Sequence, residues 1–100
     1  MTVLAKLKFS AGVLLATPGA SEAFEKNQQT PIEFLQRHLC GDWGDLDQED
    51  KQSNDQALID GSRLLSAYHL KDNTKVWAIT EAVGENGHRE ATTFLLPSEY

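Results

Sequence analysis

The stretch His38-Leu39-Cys40-Gly41-Asp42-Trp43-Gly44-Asp45-Leu46-Asp47 joins two segments of helical character and holds the densest set of potentially reactive side chains in the chain. Gly41 and Gly44 can take the positive φ that other residues resist. Gly41 stands where a helix ending at Leu39 or Cys40 wants its left-handed cap, and Gly44 permits a second sharp bend. Trp43 lies between the bends, where its large ring must be buried or become a contact. Asp47 fits the N-cap of the next helix, with Asp50 three residues on as a weaker partner. Turn chemistry accounts for every Gly and Asp here. The stretch therefore reads as an interhelical turn pinned by a buried indole, with Asp42 and Asp45 exposed beside it.

Before this turn, Thr30-Pro31-Ile32-Glu33 is the strongest local signal in the chain. It has Thr at the N-cap, Pro at the first helical position and Glu at the third. On that reading Thr30→Ala should cost about 1 kcal/mol. Ile32, Leu35 and Leu39 then share a face, with Phe34 and His38 beside them. A histidine next to such a stripe reads first as a packed, hydrogen-bonded core residue. After the turn, residues 48–60 form a second helix ending at Gly61. No apolar residue falls between Gln48 and Gln56, so Ala57, Leu58 and Ile59 are its expected anchors and its first half is expected to face solvent.

The last third is β. Arg63 to Leu70, Lys75 to Ala82 and Ala91 to Leu96 are rich in β-branched, aromatic and leucine residues. Asp72-Asn73 fits a two-residue turn. That register sets Tyr68 opposite Trp77, Ser66 opposite Ile79 and Ala67 opposite Ala78. Gly84 to Arg89 makes a longer second connection, and Pro97 ends the last strand. At the other end, Val3, Ala5, Leu7 and Phe9 alternate with Lys6, Lys8 and Ser10 at strand period. Lys6 and Lys8 before the apolar run Phe9 to Ala16 also look like a secretory leader. The alternation favours strands near 3–9 and 13–16, with a turn at Ser10-Ala11-Gly12, kept in the mature chain. Thr17-Pro18 opens a short helix over 18–26. The expected fold is one α+β domain over residues 1–100. Two or three helices pack on one face of a three- or four-stranded antiparallel sheet built on the C-terminal meander.

Composition bounds the function. Hydrophobic content is 40% and charged content 24%, which suits a globular domain. A net charge of −6 works against direct nucleic-acid binding, whose nonspecific affinity comes from Lys and Arg. The lone Cys40 allows no internal disulfide and fits a reducing, cytoplasmic setting. No apolar run approaches the roughly 18 residues that suggest a membrane span. His38, Cys40 and Asp42 alternate, but the chain has no Cys-x-x-Cys and no His-Glu-x-x-His, so no metal site is expected. No glycine-rich loop leads from a strand into a helix, and no cofactor is expected. Cys40 and His38 lie two apart on one helix and point in different directions, a poor nucleophile–base pair.

Two function classes remain. One is a non-enzymatic module that binds another protein through Asp42, Trp43 and Asp45. The other is a small metal-independent nuclease or toxin-like enzyme. It would use His38 and Glu81, or His69, as acid and base, with Arg89 at the phosphate and Thr80, Thr92 or Thr93 nearby. Helices first and an antiparallel sheet second is similar in layout to the barnase and RNase-toxin group.

Several segments together resemble one family: Ala16-Thr17-Pro18-Gly19-Ala20, Pro31-x-Glu33-Phe34-Leu35-x-Arg37-His38, Gly41-Asp42-Trp43-Gly44-Asp45-Leu46, Asp50-Lys51, Leu64-Leu65-Ser66-Ala67-Tyr68, Trp77-x-Ile79-Thr80-Glu81 and Thr92-Thr93-x-Leu95-Leu96-Pro97-x-Glu99-Tyr100. The family is one of small bacterial proteins carried on plasmids, phages and integrated elements. Its members are usually called plasmid-related, and some carry a loose type I restriction-modification label. The resemblance spans almost the whole chain, and Gly-Asp-Trp-Gly-Asp-Leu is its most specific piece. It implies an accessory protein of a mobile genetic element and carries over no activity, cofactor or catalytic residue. A hundred residues cannot hold a methyltransferase. Family members tend to have a shorter link than Gly84–Arg89, which makes that loop a poor candidate for a shared site.

Overall fold

In the computed structural model, which describes residues 7–100, Thr17 and Pro18 start the first helix as the sequence predicts. The elements are β1 (Val13–Ala16), α1 (Pro18–Lys26), α2 (Pro31–Leu39), α3 (Gln48–Asp60), β2 (Leu64–His69), β3 (Lys75–Thr80), β4 (Ala91–Leu95) and a closing 3-10 turn (Pro97–Glu99). The class is α+β. The sheet order is β1-β4-β3-β2. β2, β3 and β4 form the expected antiparallel meander, whereas β1 joins β4 in parallel, so the sheet is mixed. Parallel neighbours need a long crossover, and three helices and two strands lie between β1 and β4. The expected strand near 3–9 falls in part on residues 3–6, outside the described residues. Residues 7–9 form no strand: the Lys8 N–H bonds to the Leu39 carbonyl at 2.8 Å, tying this segment to the end of α2.

The hairpin between β2 and β3 is offset by one residue from the expected pairing. Tyr68 opposes Val76, Ala67 opposes Trp77 and Ser66 opposes Ala78. The cause is one residue of turn. The Leu70 N–H bonds to the Thr74 carbonyl, and Asn73 takes φ 70°, so the loop is Lys71-Asp72-Asn73 and not Asp72-Asn73. A three-residue loop ending in a left-handed residue is the next commonest hairpin closure after the two-residue turns. A one-residue shift moves side chains to opposite faces. Tyr68 therefore faces the helices, and Trp77 faces away from them.

The inner face carries Tyr68, Val76, Ala78 and Phe94, all buried, packed against Ala20, Ala23 and Phe24 of α1 and Phe34 of α2. A smaller cluster joins Trp43, Ala57 of α3 and Leu64, with Phe9, Leu46 and Leu58 against it. α3 spans its expected residues, capped by the Asp47 carboxylate on the Asp50 N–H at one end and by Gly61 at the other. Its anchoring differs from the expectation. Ile59 is exposed, and Asn54 is buried instead. The Asn54 amide donates to the Leu65 carbonyl at 2.6 Å and accepts from the Leu65 N–H at 3.0 Å. One side chain thus fills a strand's place beside β2. At the opposite edge, β4 takes alternate groups of β1, leaving the backbone of Leu14 and Ala16 facing outward. No partner bonds them among the described residues.

The caps of α1 and α2 behave differently. Thr17 accepts from the Ala20 N–H at 3.2 Å, while the Glu99 carboxylate accepts from the Thr17 hydroxyl and the Gly19 N–H. A carboxylate there meets the positive end of the helix dipole. The Thr17 hydroxyl bond and these amide groups hold the Glu99 carboxyl below the usual carboxylate range. Thr30 occupies the N-cap of α2 with φ −115°, but its side chain makes no capping hydrogen bond. The expectation for Thr30 is corrected accordingly. In urea melts Thr17→Ala should cost about 1 kcal/mol, and Thr30→Ala should stay within about 0.5 kcal/mol of the parent. Equal losses would show that both hydroxyls cap.

Candidate functional site

The Gly41–Leu46 segment is built into the sheet edge. Gly41, at φ 87°, lets its own N–H reach the His38 carbonyl and the Asp42 N–H reach the Arg37 carbonyl, closing α2. The chain then runs beside β2. The Ala67 N–H donates to the Trp43 carbonyl at 3.1 Å, and the Asp45 N–H donates to the Ala67 carbonyl at 2.7 Å. Between them Gly44 forms a parallel bridge to Ala67 at φ 75°, and a Cβ on it would collide with the Ala67 carbonyl oxygen. Asn54 and this segment together occupy the outward backbone groups of Leu65 and Ala67.

The three residues expected to bind a partner fare differently. Trp43 is 4% exposed. Its ring stacks on Phe9, meets His38 edge-on, and its N–H donates to the Asp55 carboxylate at 3.2 Å. Asp42 is half-exposed, yet it is already engaged by the Arg37 guanidinium at 2.7 Å and by the Gly44 N–H. The Arg37 hydrogen bond holds its carboxyl below the usual range. Asp45 is the most open of the three and pairs with His69 at 2.5 Å on the outer side of β2.

His38 is fully buried, with Ser66 at 2.5 Å from Nδ1 and Thr80 at 2.8 Å from Nε2. The direction of every bond follows from one end. The Thr92 hydroxyl donates to the Ala11 carbonyl at 2.9 Å, so it accepts from Thr80 at 2.6 Å. Thr80 then accepts from His38 Nε2–H, and Nδ1 accepts from Ser66. Ser66, Thr80 and Thr92 are all buried with it. Burial, with the nearby positive Arg89 adding, pushes the His38 pKa down to about 4. A serine 2.5 Å from an imidazole has the geometry of a nucleophile and base, but this pair has no opening to solvent.

Arg89 closes the same region. Its guanidinium donates to the carbonyls of Ser62, Glu81 and Ala57 at 2.7, 3.0 and 3.1 Å and lies over the Phe9 ring. It is 8% exposed and serves the C-terminal end of α3, where a cation meets the negative end of the dipole. Glu81 supplies a backbone carbonyl to this clamp, while its side chain is exposed. The structure thus sets His38 and Arg89 against Phe9 and ties the Glu81 carbonyl to Arg89, with both polar heads turned inward. Of the other expected members, Thr80 and Thr92 belong to the buried relay, and His69 is bound to Asp45. Thr93 lies opposite Ile79 on the outer face. Among the described residues no cluster of His, Cys, Asp or Glu could hold a metal.

The open chemistry lies on the outer face of the sheet. Leu65 opposes Ile79, Ile79 opposes Thr93, and Thr93 pairs with Leu15, which makes a row across all four strands. Leu15 and Val13 on β1 are 49% and 61% exposed. The 3-10 turn and Tyr100 fold over the β3 side. Tyr100 meets Trp77 edge-on at 5.7 Å. Arg63, Leu65, Trp77, Ile79 and Tyr100 line a cavity of about 180 Å³. The Arg63 guanidinium lies over the Tyr100 ring and donates to its hydroxyl at 2.6 Å. Sequence reasoning missed this cluster because the two-residue turn set Trp77 on the same face as Tyr68, which here packs against the helices. An asparagine placed to take a left-handed conformation at the end of the turn was the available signal.

No protein-family model matches the chain, and no curated protein or solved structure matches it. Among the described residues no helix is long and apolar enough to cross a membrane.

Proposed function

We propose that this chain is a non-enzymatic protein-binding module whose contact surface is the outer face of the sheet, with Asp45 on its rim. The observation that carries the reading is the distribution of chemistry. The imidazole of His38, the hydroxyls of Ser66, Thr80 and Thr92 and the guanidinium of Arg89 are sealed in the core, while Val13 and Leu15 stand exposed together on the outer face at the β1 edge. Contiguous exposed apolar surface bordered by polar groups is typical of interaction sites. Trp43 supports this surface by holding the sheet edge, and Asp42 secures the turn through Arg37. On the resemblance described above, the module serves a mobile genetic element as an accessory protein in the bacterial cytoplasm.

The test is capture of proteins from a bacterial host lysate by immobilised wild-type chain and by Leu15→Glu. Leu15 is exposed, so the variant should melt within a few degrees of wild type and lose the captured partner. A well-folded Leu15→Glu chain that retains every captured protein would remove the outer face from the reading. RNA cleavage by purified wild type that disappears in His38→Gln would replace the reading with the nuclease alternative.

A further inference from the structure

The cavity on the outer face combines three features. It is lined largely by apolar groups of Leu65, Trp77, Ile79 and Tyr100, it is small, and it has one cation. Among the described residues no carboxylate pairs with Arg63, in a chain whose net charge is −6. Its one side-chain partner is the neutral Tyr100 hydroxyl, which takes one of five N–H donors and leaves the rest of the fork open. The surface is thus complementary to a single negative group attached to an apolar body. Volume limits that body: a cavity of roughly 150 Å³ holds one benzene-sized ring, so this one admits a single large side chain.

Placement then narrows the ligand. Arg63 lines the cavity itself, so the carboxylate must sit beside the apolar group that fills it. In an extended peptide, neighbouring side chains point to opposite faces, and an acidic residue next to an apolar one would aim away from Arg63. A chain-terminal residue carries an apolar side chain and a carboxylate on one Cα. We infer that this cavity captures the free C-terminal residue of a partner polypeptide, with an aromatic or branched apolar side chain in the cavity and its α-carboxylate on Arg63. The inference rests on the contact-face reading above and assigns one anchor within it. Capture of a terminal carboxylate with an adjoining pocket for the last side chain is an established mode of peptide recognition.

The test titrates the intact chain with the peptide Gly-Ser-Gly-Phe as free acid and as C-terminal amide, following the indole N–H signal of Trp77 by NMR. The free acid should shift that signal saturably, and the amide should bind at least about tenfold more weakly. Arg63→Gln, at an exposed position, should keep the fold and bind acid and amide alike, while Arg63→Lys should keep a preference for the acid. Equal binding of acid and amide to wild type, an unchanged preference in Arg63→Gln, or no shift of Trp77 would each overturn the inference. N-acetylphenylalanine binding as tightly as the peptide would also overturn it, since the ligand would then be a free small acid. Leu15 lies on β1, two strands from the cavity. Capture that still depends on Leu15 would leave the contact-face reading standing if the peptide fails, and loss of both would end both.

Discussion

Replacing Trp43 with alanine is expected to remove about 3–5 kcal/mol of stability, as large aromatic truncations in cores do. The indole is 4% exposed and packs with Phe9, Ala57 and Leu64, and its deletion leaves a void that none of these can fill without moving the sheet edge. Its backbone neighbours are anchored to Ala67, so the segment cannot simply collapse inward. The N–H bond to Asp55 is the smaller part, because that carboxylate is exposed and recovers water. Trp43→Phe should therefore lose much less than Trp43→Ala. Against a total of about 5–15 kcal/mol for a typical domain, the alanine variant should show a clearly lower urea midpoint by circular dichroism. A loss under about 1 kcal/mol would mean that the indole is not a core group.

The second large effect is a pH dependence centred on His38. Folded, this imidazole stays neutral down to about pH 4. Unfolded, it takes a proton near its ordinary pKa of about 6.5. Between those values the unfolded chain binds the extra proton, so stability falls as pH is lowered through the window and is whole above it. The total is about 3 kcal/mol, reached once the pH is below the folded value. Charging the ring would also force Nδ1 to donate to Ser66, reversing the direction of the first bond in the relay. Denaturant melts between about pH 7 and about pH 4 should show the loss in wild type. His38→Gln, which has no titrating ring, should lack that component. Asp42 and Glu99, whose carboxyls are held low by hydrogen bonds, lose their contributions in a more acidic window. A wild-type chain equally stable at both ends of the range would show that His38 is charged or solvated in the fold.

How far the sequence foretold this structure depends on the range of each signal. The limits of α3 were legible because Asp47 and Gly61 act within one turn of themselves. The position of α2 was legible for the same reason, although the Thr30 hydroxyl does not do what its place suggests. The strand register was not, since it turned on whether Lys71 belongs to the strand or the loop. That single residue decided which face Trp77 occupies and concealed the outer cavity. The parallel seat of β1 depends on a neighbour about 80 residues away in sequence, which no local pattern encodes. Arg89 read as a possible phosphate ligand because it could flank a cleft with His38, Glu81 and the sheet threonines. Only the packing of Phe9 and the end of α3 shows what it holds.

The two borders of the sheet are treated unequally, and this limits how copies of the chain could associate through their backbones. Stacking strands indefinitely requires each unit to offer one edge to the copy before it and another to the copy after it. Among the described residues, Asn54 and the Trp43–Asp45 segment block the β2 border at Leu65 and Ala67, which leaves the β1 border open. Two copies meeting along β1 would use up both borders at once, and no third could join. Backbone pairing through the described strands would thus stop at two copies. Opening the β2 border, by a larger residue at Gly44 or by loss of Asn54, would convert a closed pair into a unit able to polymerise.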